Sequence, residues 1–178
     1  EKRGIVNRLL ASDDPSIRYK TLVDVCGVSP DSSLAGKLRG DIRSSDRAQR
    51  LLSVRCWGDR LTSVYAKYLG AHWVLADLAE IGYPPGDASL IPLRDQVYAR
   101  WLSPAHTRER VVDREAARYK SRPGVPIIDG RARRCASQEG NALYATIALD
   151  LVDERTDRLA ANLIRWQWPD GGWNCDRK

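Results

Sequence analysis

The sequence predicts an all-α protein built from successive helix pairs. Three observations carry that expectation. Apolar residues recur at helical spacing, Asp–Pro starts and Gly stops punctuate them, and no segment reads clearly as a strand. A length of 178 residues with 43% hydrophobic content suits a single domain with a substantial core.

Asp14-Pro15 opens the first helix, because Asp accepts from first-turn N–H groups and Pro fits the first helical position without losing a bond. Ile17, Leu22, Val23 and Cys26 form its apolar stripe, and Gly27 ends it. Ser29-Pro30-Asp31 begins a less regular segment, in which Gly36 and Gly40 weaken the helix. Asp46 to Val54 reads as a short helix leading into Cys56-Trp57-Gly58.

The second pair is clearer. Trp73, Leu75, Ala76, Leu78, Ala79 and Ile81 fill an inner helix that Gly82 terminates, and Tyr83-Pro84-Pro85-Gly86-Asp87 makes the connection. Leu90, Ile91, Leu93, Val97, Tyr98, Trp101 and Leu102 form its partner, stopped at Ser103-Pro104. In the third pair an apolar helix runs from Ala142 to Val152, Asp153 caps the next, and Leu159, Leu163, Ile164 and Trp166 lie along it. The inner helices are nearly apolar and the outer ones amphipathic, as in a double layer.

Between these pairs, Thr107 to Tyr119 reads as a charged helix and Ser121 to Arg134 as an Arg-rich loop, mobile or lining an opening. Val125-Pro126-Ile127-Ile128 comes nearest to a strand, and Pro126 would confine it to an edge or an extended loop. The organisation is thus one helical-repeat domain over 1–178, with units at 13–58, 68–104 and 137–176 and an insertion at 105–136. Asp31, Asp87 and Asp153, each opening a second helix, mark an imperfect repeat.

Gln167-Trp168-Pro169-Asp170-Gly171-Gly172-Trp173 ends the third pair. Gly171 and Gly172 reach backbone angles closed to other residues, Asp170 accepts from N–H groups of the turn, and Trp173 offers a flat surface for stacking. Gln167 is expected to bridge to the next unit, which makes the turn a clamp between helix pairs. Cys56-Trp57-Gly58 reads as a worn copy of it.

Gln167, Asp170, Gly171, Gly172 and Trp173 resemble the QW repeat of the terpene cyclase and protein prenyltransferase superfamily. Lys67-Tyr68-Leu69-Gly70-Ala71-His72-Trp73, Cys135-Ala136-Ser137-Gln138-Glu139-Gly140-Asn141 and the segment from Trp168 to Lys178 resemble a bacterial branch of squalene cyclase-like or prenyltransferase-like repeat proteins. The resemblance runs from Asp13 to Lys178. It implies an α/α toroid, a ring of helix pairs around a central cavity suited to an isoprenoid. The sequence has no Met and stops shortly after Trp173, which leads to the expectation of a fragment and an incomplete ring.

In such a cavity aromatic faces stabilise cations and dry walls exclude water. Tyr68, Trp73 and Tyr144 are the expected wall aromatics, with ordinary core packing as the competing account. The resemblance also implies an initiating acid or an Asp-rich magnesium site, and neither pattern occurs; Asp13-Asp14 reads as a cap. Prenyltransferases of this fold hold zinc through Asp, Cys and His. Cys175 and Asp176, with His72 and Cys135 near the ends of inner helices, are the metal candidates for zinc or magnesium, although their spacing does not match the family's ligands.

His72, at the start of an inner helix, is placed to face the cavity and titrate near neutral pH, weighed against a structural role. Gln138, Glu139 and Asn141 read as helix caps or as cavity-facing donors and acceptors. No catalytic residue is assigned.

The charge of +6 favours anionic partners only weakly, and the one dense run, Arg131-Ala132-Arg133-Arg134, reads as a solvated loop before a phosphate or lipid-headgroup site. Nucleic acid is not the expected partner. Cys26, Cys56, Cys135 and Cys175 lack paired spacing and read as reduced thiols of a cytoplasmic protein. No apolar run is long enough to span a bilayer, while peripheral membrane contact stays open. Two functions follow: binding or transforming an isoprenoid or other lipid-like molecule, or a non-catalytic scaffold for a macromolecular partner.

Overall fold

In a computed structural model, which describes residues 2–54, 63–113 and 123–173, helices dominate and one small sheet accompanies them. The first helices are α1 (Lys2–Leu10), α2 (Pro15–Lys20), α3 (Ser33–Ser44) and α4 (Asp46–Val54). Asp14 caps α2 by accepting from Ser16 N–H at 2.8 Å. The chain continues into a wider turn over Thr21–Val25, where Thr21 Oγ1 donates to the Ile17 carbonyl, and Gly27 ends it at φ +71°. Gly36 and Gly40 do not break α3, because Ala35, Leu38 and Ile42 bury its inner face and tertiary packing outweighs local propensity.

Two helix pairs follow. The first joins α5 (Ala71–Glu80) to α6 (Ile91–Trp101) through a short helical turn capped by Asp87, which accepts from Ser89 N–H at 2.9 Å. Past a one-turn α7 (Pro104–Thr107) and the sheet, the second joins α8 (Ser137–Ala148) to α9 (Glu154–Trp166). A capping box sets the start of α9: Asp153 accepts from Arg155 N–H at 2.9 Å and donates its own N–H to Thr156 Oγ1 at 3.1 Å. α8 starts earlier in the chain than its apolar run and stops sooner, with Asp150 beyond it at φ +52°.

α5 packs most extensively on α8. The two run parallel, since their first turns meet around Trp101 and Gly86 N–H, beyond the end of α5, donates to Leu149 O at the end of α8. α6 and α9 return beside them. The first turn of α9 is joined to the middle of α6 by Arg155 to Asp95 at 2.6 Å and by Tyr98 OH to Thr156 Oγ1 at 2.7 Å. Leu75, Leu78, Val97, Leu149 and Leu159 fill the space between, each contributing about 1.5–3 kcal/mol of burial. α4 packs against α5 and links the first helices to this pair of pairs.

Residues Glu109–Val111 form β1, not the charged helix expected from Thr107 to Tyr119; positions 114–119 of that segment lie outside the described residues. β1 pairs parallel with β2 (Val125–Ile128), and β2 pairs antiparallel with β3 (Arg131–Ala132). Pro126 therefore sits in the central strand, against the edge position expected for it. Val125 and Ile127 carry the bonds to β1, while Pro126 turns toward β3 and still accepts from Arg133 N–H at 2.8 Å. Its missing N–H falls at the end of a two-residue ladder, where the loss is small. The Arg-rich insertion is in this part an ordered sheet.

The tryptophan turn holds that sheet. Trp166 is buried against Val125 and Ala132, and its Nε1–H donates to Glu109 Oε1 at 3.2 Å. Trp168 Nε1–H donates to Ala132 O at 2.8 Å, with the Arg131 and Arg133 guanidinium groups 5.1 and 5.2 Å from its ring. Gln167 does not bridge outward: its Nε2 donates to Gly171 O inside the turn. Trp173 is 37% exposed and donates from Nε1–H back to Leu163 O of α9, the helix that precedes the turn. Gly171 at φ +85° and Asp170, accepting from Gly172 N–H, shape the turn as expected, whereas Gly172 does not take the positive φ expected of it: one left-handed residue is enough to reverse the chain here. Cys56-Trp57-Gly58 lie outside the described residues. Among those described, no helix is long and apolar enough to cross a membrane.

Candidate functional site

The first turns of α5 and α8, the end of α6 and the single turn of α7 converge on Trp101, which is 2% exposed. Its Nε1–H donates to His72 Nδ1 at 3.2 Å. An indole nitrogen can only donate, so Nδ1 accepts and the proton of neutral His72 resides on Nε2. Nε2 has no hydrogen-bond partner. Burial holds the His72 pKa down at about 4, against a small opposing pull from Glu139. The expectation that His72 titrates near neutral pH is therefore corrected: desolvation of the imidazolium outweighs the nearby carboxylate.

On the other side of Trp101, the His106 ring lies 4.7 Å away, centroid to centroid. Ser103 caps α7 and Pro104 takes its first position, which turns His106 into the protein. His106 Nε2 is 2.7 Å from Glu139 Oε1, and Arg134 Nη2 is 2.8 Å from His106 Nδ1. A guanidinium can only donate, so His106 is also neutral and gives its Nε2–H to Glu139. Burial lowers the His106 pKa despite the Glu139 hydrogen bond, and Arg134 adds to the lowering.

Glu139 is fully enclosed. Burial pushes its pKa up, but the His106 hydrogen bond and the Arg134 charge more than offset this, so it remains ionised. All its donors reach one oxygen: Arg134 Nε at 3.0 Å, Arg134 Nη2 at 2.8 Å and His106. Oε2 has no partner, and neither does the buried Trp73 Nε1. A buried polar atom left bare costs about 1–3 kcal/mol, so three in one region mark a place where stability has been given up.

Outward from this network the surface is aromatic. Trp73 lies 5.4 Å from the Tyr65 ring and 5.3 Å from Tyr68, and Tyr68 is 64% exposed. On α8, Tyr144 and Ile147 are both exposed. Beside Tyr68 and Leu69, a groove of about 600 Å³ is bounded by Arg47, Arg50 and Leu51 of α4 and by Asp77 of α5. Burial raises the Asp77 pKa.

The residues expected to share a site divide into two layers. His72 and Glu139 lie inside, and Gln138 is half-buried with its Oε1 3.5 Å from Arg134. Tyr68, Asn141 and Tyr144 face outward, with Trp73 between the layers. Cys135 is half-buried, its Sγ 3.0 Å from Ser137 Oγ. Glu139 is not a cap: Ala136 occupies that position and makes no side-chain cap bond. His106, Arg134 and Trp101 were missed as site residues. The signal for His106 was present, because Ser103-Pro104 is a helix start as well as a stop.

Among the described residues, no group of three or more His, Cys, Asp or Glu side chains is placed to hold a metal ion. Cys175 and Asp176 lie outside them. No protein-family model matches this chain, and neither the curated proteins nor the solved structures contain a match.

Proposed function

We propose that this chain is part of a stacked array of helix pairs of the α/α-toroid kind, in which the parallel helices α5 and α8 form a wall for an isoprenoid or similar lipid-like apolar ligand. One observation carries the reading. Tyr68 and Leu69 of the loop before α5 and Tyr144 and Ile147 of α8 are exposed aromatic and apolar side chains. Exposed aromatic and apolar side chains of this kind are what a wall facing an apolar ligand would present. The parallel packing of α5 on α8, with α6 and α9 behind, is the arrangement a ring of helix pairs requires.

In this reading, as in squalene cyclase-like and prenyltransferase-like proteins, the wall sits inside a cytoplasmic protein that contacts membranes at most peripherally. Any zinc or magnesium would be held by Cys175 and Asp176. The chain binds; no group in it is assigned to a chemical step.

Native mass spectrometry after mild purification, with lipid extraction and metal quantification, tests this. Retention of an isoprenoid at one per chain is the expected result. An empty protein that takes up neither an isoprenoid hydrocarbon nor its alcohol, and instead captures a protein partner, overturns it in favour of a scaffold.

A further inference from the structure

Arg131 and Arg133 are two residues apart on extended chain, because the pairing of β3 with β2 continues one step further: Arg133 N–H donates to Pro126 O at 2.8 Å. Alternation sends their side chains to one side and the buried Ala132 between them to the other, against Trp166. Both guanidinium groups settle on one indole, 5.1 and 5.2 Å from the centre of the Trp168 ring, which is itself fixed by its Nε1–H bond to Ala132 O. Neither has a carboxylate partner among the described residues, and Arg133 Nε is buried without a hydrogen bond. The acids of this end are engaged elsewhere: Glu109 accepts from Trp166 Nε1–H and pairs with Arg165, and Asp170 accepts from Gly172 N–H.

We propose that Arg131 and Arg133, held on Trp168, form a binding site for the phosphate group of a phosphate monoester. This does not rest on the apolar wall of α5 and α8. Two like charges held side by side repel each other, and a bound anion turns that cost into attraction. Residues i and i+2 of a strand lie about 6.5 Å apart, so guanidinium groups rising from them can each present a pair of N–H donors to one tetrahedral group between them. Stacking on the indole occupies the flat face of a guanidinium and leaves its N–H edge open, and side chains held in this way lose little further freedom on binding. Charge and shape select phosphate. A carboxylate matches one guanidinium and leaves the other bare, whereas a phosphate monoester carries nearly two charges at neutral pH and directs oxygens to both sides. A soluble phosphate ester and a phosphatidic acid headgroup share this chemistry.

Calorimetric titration of the full chain with inorganic phosphate, at about 0.15 M ionic strength, tests this. One phosphate per chain is expected, with binding at least about tenfold weaker in Arg131→Gln/Arg133→Gln. Arg8→Gln/Arg158→Gln removes the same charge from exposed positions on α1 and α9 and is expected to bind as the wild type does. No saturable binding by the wild type, undiminished affinity in Arg131→Gln/Arg133→Gln, or an equal loss in Arg8→Gln/Arg158→Gln overturns the site. Should the first variant not fold, Arg131→Gln alone, at an exposed position, decides: a loss of at least about threefold is expected, and no loss overturns the site. Vesicles containing phosphatidic acid then separate the two sources. Cosedimentation that Arg131→Gln/Arg133→Gln loses identifies a lipid headgroup, and phosphate binding without cosedimentation identifies a soluble ester.

Discussion

Trp101 donates its indole N–H to His72 Nδ1 across 3.2 Å inside the protein, and this one bond decides which imidazole nitrogen carries the proton. His72 is consequently a fixed neutral donor and not a proton-transfer group at neutral pH.

A pH dependence follows. The folded His72 pKa is about 4, below the ordinary value of 6.5, and that of His106 is lowered as well. Between these values the unfolded chain binds protons that the folded chain does not, so stability is full above about 6.5 and falls as pH drops toward about 4. His72 alone accounts for about 2–3 kcal/mol of that loss. Urea denaturation across the range measures it, and His72→Asn is expected to flatten the curve.

Arg134 neutralises the buried Glu139 carboxylate and blocks protonation of His106 at Nδ1. Arg134→Met is expected to destabilise the protein by about 3 kcal/mol, as breaking a buried pair does. It also removes the donor at Nδ1, so the His106 pKa should rise. Proton NMR titration of the imidazole resonances checks the second effect, which a loss of packing alone would not produce.

Trp168, and not Trp173, ties the end of α9 to the sheet. Trp168→Ala is expected to cost about 2–3 kcal/mol and to speed hydrogen exchange in β3. Trp173→Ala should cost about 1 kcal/mol, because the indole is partly exposed and its hydrogen bond only folds the turn back onto α9.

Thr156 serves twice, as the partner of Tyr98 OH and as half of the α9 capping box. Tyr98→Phe is expected to lower stability by about 1 kcal/mol, and Thr156→Val by about 2 kcal/mol because the cap is lost too. Thermal denaturation of the two variants gives the order.

Much of the helical layout was legible because its signals are local. α4 runs from Asp46 to Val54 as its sequence indicates, and Asp14, Asp87 and Asp153 each accept from the backbone where a helix begins. The site was less legible because it is assembled by pairs distant in the chain. Glu139 is a polar residue in a polar stretch until His106 and Arg134 neutralise it, and only then can it be buried. β2 escaped for a similar reason: Pro126 argues against a central strand unless its neighbour is known to be two residues long. The sequence points to Gln167 as the bridge, a role that Trp168 performs, because turn composition fixes the shape of the turn and not the direction in which its side chains reach.

The most direct measurement is fluorescence titration of the full chain with farnesene, alongside a Tyr144→Glu/Ile147→Glu variant that melts at the wild-type temperature. Both residues are already exposed, so the variant should fold. The account predicts saturable binding of one molecule per chain by the wild type and at least about tenfold weaker binding by the variant. Undiminished affinity in the variant, or no saturable binding to either protein, would contradict an apolar wall on α5 and α8.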